Sequence, residues 1–131
     1  MTDLKAGDAV PELKVTPDKY LTNRYAGASG DWNPIHIDAD FAKSVGLPSN
    51  ILHGLYSMGL VAKAAAQGLA HGDPRALKKL TVQFRGMGMP EQEVVVTGTV
   101  KEVDGDRVVV DLEAAQGDNR IIRNARAELE L

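Results

Sequence analysis

From His53 to about Leu69 the chain is apolar on almost every side, with Ser57, Lys63 and Gln67 as the polar exceptions. A surface helix shows one polar face, so a helix without one must be nearly enveloped by the rest of the fold. Gly54, Gly59, Ala62, Ala64, Ala65 and Ala66 keep this one thin, which lets a sheet approach closely. The sequence that follows supplies the sheet. After the Gly72-Asp73-Pro74 break the apolar period changes to two: Leu80, Val82 and Phe84 alternate with Lys79, Thr81, Gln83 and Arg85, and Val94, Val96 and Val100 share a face of the next run. Asp104-Gly105 signals a hairpin, after which Val108, Val110, Leu112 and Ala114 alternate with Arg107, Val109, Asp111 and Glu113. A turn at Gly117-Asp118-Asn119 leads to a last strand with Ile121, Arg123, Ala125, Ala127, Leu129 and Leu131 expected on one face. Residues 9–16 read as a short strand whose Pro11 suits an edge. One buried helix followed by four antiparallel strands, with one strand before it, predicts an α+β fold.

The first half of the chain is less regular. Thr16-Pro17 is an N-cap and first-turn signal for a helix running toward Gly27 or Gly30. Asp38 is expected to cap a short helix through Val45, stopped by Gly46 and Pro48. At 131 residues the chain is expected to form one domain over 1–131, large enough to bury a core without staples. It has no cysteine, which excludes disulfides, thiolate metal sites and cysteine nucleophiles. A net charge of −3 gives no reason to expect nucleic acid or an anionic membrane as partner. No apolar run reaches the ~18–20 residues of a membrane span, and the first residues lack a signal-peptide core. The expectation is a soluble, cytoplasmic protein.

The chemistry concentrates in residues 25–42, Tyr-Ala-Gly-Ala-Ser-Gly-Asp-Trp-Asn-Pro-Ile-His-Ile-Asp-Ala-Asp-Phe-Ala. A carboxylate, Asp31, precedes an imidazole, His36, across a stretch in which Pro34 fixes its own φ and pushes Asn33 toward extended geometry. A stiff, bent loop with an acid and a base on its rim suits proton transfer involving water. The bland alternative is an Asx turn at Asp31 and a hydrogen-bonded loop histidine at His36. Asn33 has a carboxamide suited to bridging loop backbone groups. His53-Gly54 opens the buried helix, and the unpaired N–H groups of a helix N-terminus form a donor site for a developing oxyanion. The ordinary role for His53 is that of a buried, hydrogen-bonded histidine. Arg75, Lys78, Lys79 and Arg85 cluster in sequence and suit either phosphates or a solvated strand edge. None of the three histidines forms a pair with metal-ligand spacing, and no Gly-rich nucleotide loop is present, so neither metal nor cofactor is expected.

The segment resembles the signature of the R-specific enoyl-CoA hydratases, the hydratase 2 or MaoC-like dehydratase family. Tyr25, Ser29, Gly30, Asp31, Asn33, Pro34, Ile35, His36 and Ala42 fill its places, with Ala28 as the local departure. The resemblance extends loosely over the chain and is weakest at Gly86-Met87-Gly88-Met89-Pro90. It implies a hot-dog fold, a curved antiparallel sheet wrapped round a long central helix. It implies Asp31 and His36 as the catalytic pair, Asn33 as support for their loop, and the backbone N–H of Gly54 as the oxyanion donor. The activity implied is R-specific hydration of trans-2-enoyl thioesters, or the reverse dehydration of (3R)-hydroxyacyl thioesters, in fatty-acid metabolism. The thioester partner would be acyl-CoA or acyl-carrier protein, and the assembly a homodimer, with a heterodimer as the alternative. Two other readings stay open: the catalytic subunit of a heterodimeric (3R)-hydroxyacyl-carrier-protein dehydratase, and a non-enzymatic acyl-thioester-binding subunit. Loss of Asp31 or His36 would favour the latter, and both are present. A hot-dog thioesterase is disfavoured because residues 53–69 contain no Asp or Glu.

Overall fold

A computed structural model of the chain describes residues 2–131. Strand β1 (Ala9–Val15) precedes helices α1 (Leu21–Ser29), α2 (Pro34–Ile37), α3 (Ala39–Ser44) and α4 (Gly54–Leu69), and strands β2 (Leu77–Phe84), β3 (Val94–Asp104), β4 (Arg107–Gln116) and β5 (Asn119–Glu130) follow. The strands form one sheet in the order β1-β3-β4-β5-β2, antiparallel at each pairing. One face lies against α4: Val61, Ala64 and Ala65 pack with Val94, Val96, Val110, Ala114, Ile122 and Ala125 in a continuous apolar cluster. Small residues on α4 let the helix axis come close to the sheet, while the valines supply the β-branched surface a pleated strand favours. Strand β1 is an edge, and the bulge between Val10 and Leu13 falls at Pro11, which has no N–H to donate to a ladder.

Four sequence expectations need correction. Helix α1 starts at Leu21, not at Pro17, because the Asp18 carboxylate accepts from the Tyr20 N–H at 2.8 Å and holds a turn ahead of the helix. Its end is as expected: Gly30 closes it at φ 80, a left-handed conformation open to glycine without penalty. His36 lies on a short helical turn, α2, not on a bent loop. Asn33 is extended (φ −54, ψ 125), as a residue before proline should be, and that geometry makes it the N-cap for a helix with Pro34 at its first position.

The third correction concerns β5. Arg123 does not share the inward face; Ile121 and Ile122 are both buried instead. Between Ala125 and Ile122, β5 carries one more residue than β4 does between Leu112 and Ala114, and β2 meets the same extra residue between Thr81 and Gln83. Asn124, at φ 50, is where the strand bends, and this bulge reverses the alternation before it. Finally, α4 is not enveloped on all sides. Leu55, Gly59, Lys63 and Gln67 form an open stripe along it, and Leu55 is 65% exposed.

Candidate active site

The site is assembled from three short pieces of chain. The turn after α1 carries Asp31, α2 carries His36, and the segment from Ile51 to Gly54 leads into α4. Local bonds give the first piece its shape: the Asp31 N–H donates to Ser29 Oγ at 3.2 Å, and Asp31 Oδ1 accepts from the Asn33 N–H at 3.2 Å. Asn33 Oδ1 accepts in turn from the Ile35 N–H at 3.2 Å, which is the helix cap. The Asx turn expected as the bland role of Asp31 is therefore present. It occupies one carboxylate oxygen and leaves Oδ2 facing His36.

Oδ2 of Asp31 lies 3.8 Å from Nε2 of His36. That is too long for a hydrogen bond, and both atoms can reach a water placed between them. The tautomer of His36 follows from its other nitrogen. Nδ1 lies 2.8 Å from the Ile51 carbonyl, which can only accept, so Nδ1 carries a proton, and in the neutral form of the ring Nε2 turns a lone pair toward Asp31. The carboxylate and that lone pair are both acceptors. A water placed between them would donate one hydrogen to each and direct an oxygen lone pair outward.

His36 is held in place by its neighbours. Asn50 Nδ2 donates to the His36 carbonyl at 3.1 Å, and the Ile51 N–H donates to the Ile35 carbonyl at 3.0 Å. Its ring stacks on that of His53, with centroids 3.9 Å apart and planes 22° from parallel. Tyr25 packs on His53 at 4.7 Å, and Tyr56 meets Tyr25 edge-on at 5.8 Å. Burial, with the Asp18 charge adding to it, pushes the Tyr56 phenol up from its ordinary value.

Helix α4 begins at Gly54, with His53 as its N-cap. The amides opening a helix have no intrahelical acceptor. A Cβ at Gly54 would come within 3.2 Å of the Phe84 ring, so a larger residue fits here only if that ring gives by a few tenths of an ångström. Of the remaining sequence candidates, Arg75 is tied to Asp73, and Arg85 donates to Gln83 at 2.8 Å. Lys78 and Lys79 line an outer groove with Asp104, Asp106, Arg107 and Glu128. Asp38 caps α3, accepting from the Asp40 and Phe41 N–H groups, and Asp40 lies in its first turn. Trp32 is exposed over Gly27.

Sequence spacing contained no metal-ligand pair, yet the fold brings ligand atoms of Asp31, His36 and His53 within 4.8 Å of one another. One ring nitrogen of each histidine is already spent on a carbonyl, and the near-parallel stack sets the two rings face to face. Asn50 and Gln116 went unnoticed in sequence. Gln116 is buried and fastens the 86–92 loop, accepting from the Met89 N–H at 2.8 Å and donating to the Met89 and Gln92 carbonyls at 2.7 and 3.1 Å. The Gly88 carbonyl of that loop accepts from the Leu52 N–H at 2.8 Å, which ties the loop to the strand of residues behind His36.

Residues 5–119 match the MaoC-like domain family. The chain belongs to that family. Among solved structures, a MaoC-like dehydratase superposes with a TM-score of 0.92 at 29% identity, covering 98% of this chain and 41% of that one. The match carries the hot-dog fold with it: a five-stranded antiparallel sheet against one long helix. This MaoC-like chain is 32% identical over 113 residues to the peroxisomal enoyl-CoA hydratase 2 of Arabidopsis thaliana, covering 86% of its own length and 35% of the plant protein. It is 36% identical over 131 residues to the peroxisomal multifunctional enzyme type 2 of Mus musculus, covering 96% of itself and 17% of the mouse protein. The chain thus spans about a third or less of these two relatives.

Proposed function

We propose that this MaoC-like domain hydrates trans-2-enoyl thioesters to (3R)-hydroxyacyl thioesters, and catalyses the reverse dehydration. The observation that supports it most is the facing pair of acceptors, Asp31 Oδ2 and His36 Nε2, at 3.8 Å. They hold one water by both hydrogens. The thioester carbonyl lies against the Gly54 N–H, where the helix dipole and the orphan donor stabilise the enolate oxygen that forms as water adds. The water oxygen bonds to Cβ, one member of the pair takes its proton, and a proton is delivered to Cα. Both groups act from one side of the acyl chain, so addition is syn. Asn33 keeps the loop shaped for this by capping α2.

The substrate class is acyl-CoA, supported by the name of the plant relative, enoyl-CoA hydratase 2. Thioesters of this kind are intracellular metabolites, which supports the cytoplasmic location expected from the sequence. The partner is a second copy of this chain. Beside Gly54, Leu55 and Phe84 are 65% and 51% exposed, on the open stripe of α4 and on edge strand β2. Two exposed apolar side chains beside an unpaired sheet edge are what a symmetric partner would bury.

The test is to purify the chain and follow loss of enoyl absorbance with crotonyl-CoA and longer trans-2-enoyl-CoA esters. Chiral analysis of the product and a solution mass complete it. Turnover to the 3R product by a dimer is expected. No turnover of any enoyl-CoA, or a 3S product, would overturn the activity, and a fully active monomer would overturn the assembly.

A further inference from the structure

We propose that His53 is a positioning residue that ties the acid–base pair to the oxyanion donor, so that the two halves of the site keep one fixed distance. The proposal rests on the hydration reading above. That chemistry needs two things placed together: a water between Asp31 and His36, and a donor at the thioester oxygen. The two come from different parts of the chain. The turn bonds of Asp31 to Ser29 and Asn33 span two residues each. They shape the loop but do not hold it over α4.

His53 supplies that hold. Its backbone is the N-cap of α4, in extended geometry (φ −65, ψ 137), directly preceding the Gly54 amide. Its side chain reaches back 22 residues, where Nε2 lies 3.0 Å from the Asp31 carbonyl. A carbonyl only accepts, so Nε2 carries the proton. The face of the same ring carries His36 at 3.9 Å. One residue therefore touches the carboxylate's backbone, the imidazole's ring plane and the start of the helix.

Burial makes this arrangement stiff. His53 is 2% exposed, and the second ring nitrogen, Nδ1, is buried without a hydrogen-bond partner among the described residues. A buried polar atom left unpaired is costly, so an arrangement that keeps one needs a compensating reason. The geometry offers one. The Nε2–H bond to the Asp31 carbonyl and the stack under His36 hold the ring as it stands. A shift of about 1 Å between reacting groups costs on the order of 100-fold in rate, and the Asp31 bond prevents such a shift.

Two amide variants separate this role from simple packing. In His53→Gln the side-chain amide nitrogen reaches the place of Nε2 and can still donate to the Asp31 carbonyl. In His53→Asn it reaches only the place of Nδ1. With crotonyl-CoA, Gln should retain kcat within about 5-fold and Asn should lose about 100-fold, with KM in both within about 2-fold of the parent. A folded Asn variant with parental kcat, equal losses in the two variants, or a loss carried by KM would overturn the proposal. The unaltered protein gives an independent reading through nitrogen NMR of the His53 ring. An Nε2–H tautomer coupled across a hydrogen bond to the Asp31 carbonyl supports the tie, and an Nδ1–H tautomer overturns it even if the Asn variant fails to fold. That reading needs no turnover, so an inactive parent protein would count against the hydratase reading alone.

Discussion

Strands β4 and β5 bury Val108, Val110, Leu112, Ala114, Ile122, Ala125, Ala127 and Leu129. Between Gly30 and Gly54, the buried positions include His36 and His53 beside Ala42 and Leu52. The sheet is held by apolar area, which is non-directional and tolerates changes that conserve volume. The site is held by bonds from ring nitrogens to the carbonyls of Ile51 and Asp31, which require one atom in one place. The core should therefore govern whether the chain folds, and the site should govern what the folded chain does. Each experiment below alters one region and asks whether the other notices.

The largest effect is expected at the pair itself. Asp31→Asn and His36→Ala should each lower hydration kcat by about two to four orders of magnitude, the span of general acid–base catalysis. Thermal melting should change little in Asp31→Asn, because Asp31 is half exposed and its turn can re-form around the carboxamide, and should fall in His36→Ala, which removes a buried ring and its bond to the Ile51 carbonyl. Parental turnover in either folded variant would remove the pair from the mechanism.

The core counterpart is Leu129→Ala, on the face of β5 buried with α4. Chemical denaturation should show a loss of about 2–5 kcal/mol in stability, while kcat of the folded fraction stays unchanged. A drop in kcat without a drop in stability would blur the division between the two regions.

Gly54 lies on their boundary, and its substitution sharpens the comparison. In Gly54→Val the side chain meets the Phe84 ring and crowds the N–H proposed as the thioester's donor, so the barrier should rise by about 2.7–4 kcal/mol, the cost of losing one oxyanion donor. Steady-state kinetics at matched thermal stability checks this. If the double variant Gly54→Val with Phe84→Ala recovers full activity, the loss was a collision with Phe84 and not a blocked donor.

The smallest effect is expected at Arg24, which pairs with Asp18 on the surface and holds that carboxyl below its usual range through their hydrogen bond. Both groups are solvent-exposed, and such pairs contribute little. Arg24→Ala should leave kcat and the melting temperature within error.

Much of the architecture was legible because it rests on local pattern. The period-two runs of β3 and β4, the thin helix α4 and the glycine end of α1 appear where the residues imply. The misses share a cause. A bulge at Asn124 reverses a strand's faces, yet one asparagine in an alternating run carries no local mark of it. The Asp18 turn displaced the start of α1 because a side-chain bond outcompeted the Thr16-Pro17 cap signal. The proximity of Asp31, Asn33 and His36 was legible because they lie within one short stretch whose proline restricts the backbone.

The sequence by itself determined which groups can move a proton, because side-chain chemistry is a property of the residue, and it determined that they share one bent segment. It also set the identity of the core, since apolar periodicity follows directly from backbone geometry. Only the tertiary structure decided which nitrogen of His36 carries its proton, because the acceptor is the carbonyl of Ile51, fifteen residues away. The same holds for His53, whose partner carbonyl lies 22 residues back, and for Gln116, whose bonds fasten a loop 27 and 24 residues earlier. Such bonds join residues whose separation along the chain is unrelated to helical or strand period. The physical reason is that a backbone carbonyl accepts the same way whatever residue bears it, so no side-chain pattern marks it as a partner, and the fold alone brings donor and acceptor together.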